Sequence, residues 1–146
     1  MTWIDELRVK DVFSAVPVVL SEDQTLSEAY EALVGESISG IPVTDAEGDL
    51  LGVVSASDLL VALAPLLDPQ EETPDAASLI ELKDAPLSEH VQGPPLTCEE
   101  RTPLREACEL MVRERVHRLV VMAADEIVGV ISSMDIVRAV ARGREA

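Results

Sequence analysis

The stretch Ile41-Pro42-Val43-Thr44-Asp45-Ala46-Glu47-Gly48-Asp49-Leu50-Leu51-Gly52-Val53-Val54-Ser55-Ala56-Ser57-Asp58 decides the fold, because the chain repeats it. Its second copy is Arg118-Leu119-Val120-Val121-Met122-Ala123-Ala124-Asp125-Glu126-Ile127-Val128-Gly129-Val130-Ile131-Ser132-Ser133-Met134-Asp135. An offset of 77 sets Gly52 over Gly129, Ser55 over Ser132 and Asp58 over Asp135. Upstream the offset is 78: Val9 to Phe13 lies over Leu87 to Val91, and Pro17-Val18-Val19 over Pro95-Leu96-Thr97. In the same frame Leu26, Ala29, Tyr30, Leu33 and Val34 lie over Leu104, Ala107, Cys108, Met111 and Val112. One inserted residue near Glu36 accounts for the change. The repeat covers 9–63 and 87–140, and self-similarity on this scale marks a duplicated structural unit.

Leu26, Ala29, Tyr30, Leu33 and Val34 follow the i, i+3, i+4, i+7 spacing of one apolar helix stripe. Thr25 and Glu28 form a capping box at its start, and in the second copy Thr102 caps with Pro103 at the first helical position. Two short apolar runs follow each helix: Ile41 to Thr44 and Leu50 to Val54, then Leu119 to Met122 and Ile127 to Ile131. The polar segments between them, Asp45 to Asp49 and Ala123 to Glu126, read as hairpin loops. Further helices are expected over Asp58 to Ala64 and Asp135 to Arg142. Each half is thus strand-helix-strand-strand-helix, an α+β arrangement. The division expected is 1–64, an acidic Pro-rich connector over 65–86 with a helical turn at Ser78 to Leu82, and 87–146. A half of this size buries too little surface to be comfortable alone. The two halves are therefore expected to pack sheet to sheet, as an α/β sandwich about a pseudo-two-fold axis.

Composition narrows the function. With 28 acidic and 11 basic residues the net charge is −17. Such a surface repels phosphate backbones and anionic lipids, which argues against nucleic-acid and membrane partners. A salt-rich cytoplasm is one further reading of that acidity. No apolar run approaches the ~18 residues of a membrane span, and the acidic start Met1 to Glu6 lacks the pattern of a secretory signal, so a cytoplasmic location is expected. Cys98 and Cys108 have neither CxxC spacing nor His neighbours, and read as small buried hydrophobes. Nucleophile, zinc-protease and phosphate-loop motifs are absent, so no catalytic and no metal residue is assigned, and no activity is expected of the chain itself.

Four segments carry a family resemblance: Ser39 to Asp45, Gly52 to Asp58, His117 to Val121, and Gly129 to Asp135. Together, in order and twice, they resemble the CBS domain (the regulatory module of cystathionine β-synthase). The tandem arrangement resembles the paired form called the Bateman module. The resemblance implies two β-α-β-β-α modules, a cleft between them, and up to two sites for AMP, ADP, ATP or S-adenosylmethionine. It makes Asp58 and Asp135 the ribose readers, with Ser55 and Ser132 near the phosphate. The base would be lined by Ser39-Gly40-Ile41-Pro42 in one copy and by Val116-His117-Arg118-Leu119 in the other, where the His117-Arg118 pair would also face phosphate. Where many nucleotide-binding members carry a basic residue before the Asp, this chain has Ser57 and Met134. The first copy has Gly40-Ile41 against His117-Arg118, and Leu119 replaces Pro42. This weighs against a triphosphate more than against a monophosphate or nucleoside.

The Ser-x-x-Asp positions have a physical rationale besides the resemblance. A helix N-terminus offers free N–H groups and partial positive charge, and a carboxylate suits a diol. The same pattern also reads as a plain N-cap box. Three functions stay open. One is a ligand-sensing module for an AMP-like adenine nucleotide or adenosyl compound, relaying to a partner. Another is a ligand-free dimerisation or interaction module, a homodimer. The third is a regulatory fragment whose enzyme or transporter is encoded separately.

Overall fold

The computed structural model describes residues 3–15, 18–36, 38, 40–67, 76–91 and 95–143. The chain divides into two compact units. An internal unit comprises Val18–Pro95, and a terminal unit comprises Met1–Pro17 with Leu96–Ala146. This differs from the division at 64 and 87 drawn from the repeat. The segment that leads into each repeat belongs to the unit built by the other.

In the internal unit, β2 (Leu20–Ser21) runs parallel to β3 (Gly40–Thr44), which pairs antiparallel with β4 (Leu50–Ser55). Helices α1 (Leu26–Gly35), α2 (Ala56–Leu67) and α3 (Ala76–Lys83) accompany this sheet. In the terminal unit, β5 (Thr97–Glu99) runs parallel to β6 (Arg118–Ala123), which pairs antiparallel with β7 (Glu126–Ser132). Its helices are α4 (Leu104–Glu114) and α5 (Ser133–Arg142). A short strand β1 (Ser14–Ala15) adds to its sheet, antiparallel to β7. The mixed α+β units follow the strand-helix-strand-strand-helix order read from the repeat. The connector's short helical turn is the helix α3, while 68–75 lie outside the described residues.

The register relocates the inserted residue. Gly40 faces Ser55 and Val43 faces Gly52, while Arg118 faces Ser132 and Val121 faces Gly129. The offset of 78 therefore persists through β3 and β6 and becomes 77 only at β4 and β7. The extra residue lies in the first hairpin turn, not near Glu36. Ile41 accordingly corresponds to Leu119, both fully buried, and Pro42 to Val120. Gly40 corresponds to Arg118. The turn that gained the residue is closed by Asp45, whose Oδ1 accepts from the backbone N–H groups of Glu47 and Asp49. The shorter turn of the second copy places Ala124 and Asp125 at positive φ (50° and 65°), as a tight hairpin demands.

Core packing explains the exchanged lead-in segments. Val9 is fully buried among Leu104, Ala107, Met111 and Leu119, and Leu87 is fully buried among Leu26, Ala29, Leu33 and Ile41. Val9 and Leu87 are repeat equivalents. The backbone repeats the symmetry. The Leu104 N–H donates to the Leu7 carbonyl (2.9 Å), and the Leu26 N–H to the Ala85 carbonyl (3.1 Å). Each lead-in segment thereby satisfies the first orphan donor of a helix. Thr25 also caps α1, its side chain accepting from the Glu28 N–H. The capping role expected of Thr102 falls to Pro103, which is extended and has no side-chain acceptor, so α4 starts without a side-chain cap. The apolar stripe of α1 is broader than its buried face: Tyr30 and Val34 are exposed, as is Val112 on α4.

β1 lies very close to β7. A Cβ built on Gly129 would stand 2.3 Å from the Ser14 carbonyl oxygen and 2.5 Å from the Phe13 ring. Only glycine admits the strand here. We expect Gly129→Ala to lower unfolding free energy by about 1–3 kcal/mol through overpacking. Gly35→Ala, at a helical glycine with no atom within 4 Å of a built Cβ, should leave stability unchanged or raise it. Urea denaturation of both variants checks the contrast.

Candidate functional site

Ser55 ends β4 and Asp58 lies in the first turn of α2, and both are buried. The Ser55 backbone N–H donates to Asp58 Oδ2 (2.7 Å) and the Ser55 hydroxyl to the same oxygen (3.0 Å). The Asp58 N–H returns a bond to Ser55 Oγ (3.4 Å). The terminal unit repeats the device. The Ser132 N–H donates to Asp135 Oδ2 (2.8 Å), and the Asp135 N–H donates to Ser132 Oγ (3.2 Å). Both pairs are reciprocal capping boxes, so α2 and α5 start two residues earlier than expected from the sequence. Capping uses one oxygen of each carboxylate.

The second oxygens differ. Asp135 Oδ1 accepts from the Ser14 hydroxyl (3.0 Å) and pairs with Arg138 (3.4 Å). Asp58 Oδ1 has no hydrogen bond among the described residues. The repeat equivalent of Ser14 is Gln92, outside those residues. Ser14 escaped notice in the sequence because only long-range strand pairing brings it to Asp135. Arg138, one helical turn on from Asp135, was visible as an i,i+3 partner.

The remaining candidates sort by the hairpin register. Gly40 stands opposite Ser55, and Arg118 opposite Ser132. His117 is exposed, its carbonyl accepting from the Ser133 N–H (2.9 Å). The side chains of Ile41 and Pro42 are fully buried, Ile41 within the core of the internal unit. Ser39 lies outside the described residues. Ser57 and Met134, where a basic residue was sought, are exposed.

Within the terminal unit, Asp135 and Ser14 also line an open depression of about 820 Å³. The first-turn Trp3, Phe13 before β1, and Arg138 and Arg142 of α5 line it with them. Elsewhere the chemistry is sparse. Among the described residues no group of three or more His, Cys, Asp or Glu side chains is placed to hold a metal ion. Cys98 is buried, and burial pushes its thiol up to about 11, with Glu99 adding to the rise. At neutral pH it is therefore a protonated thiol, the weak-nucleophile form. Cys108 is only half-buried, its thiol likewise raised chiefly by burial. No described helix is long and apolar enough to cross a membrane.

A duplicated strand-helix-hairpin-helix unit, with a Ser-x-x-Asp box at each strand-to-helix junction, defines a class of paired α+β modules. The CBS domain pattern matches residues 9–65 and 87–142, and the chain belongs to the CBS domain family. It is similar to the chloroplastic CBS domain-containing protein CBSX1 of Arabidopsis thaliana, 32% identical over 83% of this chain and 58% of that protein. It also matches inosine-5'-monophosphate dehydrogenase of Methanocaldococcus jannaschii, 29% identical over 92% of the chain but only 23% of the enzyme. The chain thus spans little more than half of one relative and a quarter or less of the other. Among solved structures, a CBS domain protein from Pyrobaculum aerophilum complexed with AMP is 26% identical, with a TM-score of 0.73 over 92% of this chain and 94% of that one. CBSX2 in complex with AMP is 25% identical, with a TM-score of 0.68 over 92% and 96%.

The boxes are structural whatever else they do. Ser55→Ala and Ser132→Ala should each cost about 0.5–2 kcal/mol without any ligand. Urea unfolding of the ligand-free variants checks this.

Proposed function

We propose that this chain is a regulatory module that binds an adenine nucleotide of the AMP type beside its Ser-x-x-Asp carboxylates and relays occupancy to a partner protein. The observation that carries the reading is the buried carboxylate held by its own cap, with Asp135 opening onto a depression of nucleotide size. Capping fixes the position of the carboxylate, whose oxygens are acceptors that suit the two donors of a ribose diol. The AMP complexes of the two structural relatives support the ligand class. The chain itself performs no chemistry in this reading. Activity belongs to the partner, an enzyme or transporter encoded separately. Relay requires the ligand to favour one arrangement of the module over another. The proposed ligand residues are those of the sequence reading, Ser55, Asp58, Ser132 and Asp135, with Ser39, Gly40, Ile41, Pro42, His117 and Arg118 flanking them.

AMP at ~100 times its dissociation constant adds about 2.7 kcal/mol of stability. We expect AMP to raise the melting temperature by about 5–10 °C, and Asp135→Asn to abolish the rise. No shift with AMP, ADP, ATP or S-adenosylmethionine contradicts the reading.

A homodimer has its own support. Met134, Val137 and Val140 of α5 are each more than half exposed (55%, 57% and 53%), as are Leu60 and Val61 of α2 (62% and 68%). Apolar faces of this kind mark association surfaces. Sedimentation should give a dimer for the wild-type chain and a monomer for Val137→Glu. A monomeric wild type contradicts the assignment.

A further inference from the structure

We propose that the two repeats are not equivalent sites: the terminal unit takes the phosphate-bearing nucleotide, with Trp3 stacking on its base and Arg142 holding its phosphate. This rests on the nucleotide reading above and adds which repeat binds the anion, and with which side chains. The depression supplies three chemistries on one surface. Asp135 is a buried carboxylate, Trp3 a half-buried indole, and Arg138 and Arg142 are two guanidinium groups on one face of α5.

Arg138 is held by Asp135, whereas Arg142 makes no ion pair among the described residues. Asp135 and Arg142 are about two helical turns apart, ~10 Å at 1.5 Å per residue. Helical side chains lean toward the N-terminus, so Arg142 reaches back toward Asp135. Ribose on the carboxylate and phosphate on the guanidinium fit that spacing. Of the depression's other acids, Asp11 accepts from the Arg8 backbone N–H (2.8 Å), and Glu6 already has a partner. Trp3 is placed by its own turn, where Asp5 pairs with Arg105 of α4 at 2.6 Å.

The internal unit has none of this. At the offsets of the repeat, Arg138 becomes Val61, Arg142 becomes Pro65 and Trp3 becomes Glu81. Asp58 keeps the cap and lacks both the cations and the aromatic ring. Base stacking on an aromatic face is worth about 1–3 kcal/mol, and a charge-assisted bond to phosphate a similar amount.

The test is calorimetric titration of the full chain with AMP and with adenosine, followed in parallel by the emission of Trp3, the only tryptophan. AMP should change that emission. Arg142→Gln should weaken AMP by about tenfold or more, the loss of one charged bond, and leave adenosine unchanged. Trp3→Leu should weaken both ligands. AMP binding Arg142→Gln as tightly as wild type, with no change in Trp3 emission, would overturn the placement and leave the nucleotide reading standing. Equal weakening of adenosine by Arg142→Gln would make Arg142 a structural residue and overturn its phosphate role. Absence of heat with AMP in the wild-type chain would overturn both readings.

Discussion

The carbonyl of Leu7 accepts the first amide of α4, and the carbonyl of Ala85 accepts the first amide of α1. These two bonds mark the constraint on which the fold depends. Each repeat sends its lead-in segment into the unit formed by the other, and Val9 and Leu87 go with it as fully buried side chains. Burying each contributes about 1.5–3 kcal/mol. For units this small that is a large share of a marginal stability. The terminal unit adds the tight passage of β1 beside Gly129, which brings the Ser14 hydroxyl to Asp135. Six residues after Ser14 the chain enters β2 of the internal unit. A ligand that takes the Asp135 oxygen from Ser14 therefore acts on the strand that leads from one unit into the next.

In the proposed reading the Ser-x-x-Asp boxes give one carboxylate two tasks. Oδ2 closes the cap and immobilises the group, leaving Oδ1 for other partners. In the terminal unit Ser14 and Arg138 occupy Oδ1. A diol that replaces them exchanges one set of donors for another, so ligand binding does not strip the carboxylate of hydrogen bonds. The capping and binding readings of these residues are thus compatible: the cap holds in place the carboxylate that the proposed binding would use.

Much of the fold was legible in the sequence because period and repetition agree. Leu26, Ala29 and Leu33 lie on the buried face of α1, and both hairpins fall where the apolar runs place them. Tyr30 and Val34 match the helical period equally well yet remain exposed, since periodicity counts apolar residues without saying which have a core to enter. The strand offset was misplaced by one because β3 and β6 are runs of similar apolar residues that align in either frame. Strand register and hairpin turn length decide between the frames. Exchange of the lead-in segments left no local signal, as it depends on pairing between residues distant in sequence. The Ser-Asp capping pairs were legible from spacing, while their ligand role came only with the family resemblance. Ser14 was not, because only the β1–β7 pairing brings it to Asp135.

The central claim is that nucleotide binds at the capped carboxylate of the terminal unit and is felt by β1. Amide hydrogen exchange with and without AMP tests it most directly. The account predicts slower exchange at Ser132 to Arg138 and at Ser14 and Ala15 when AMP is present. AMP that binds while leaving those amides unchanged, or protects the Asp58 region alone, would contradict it.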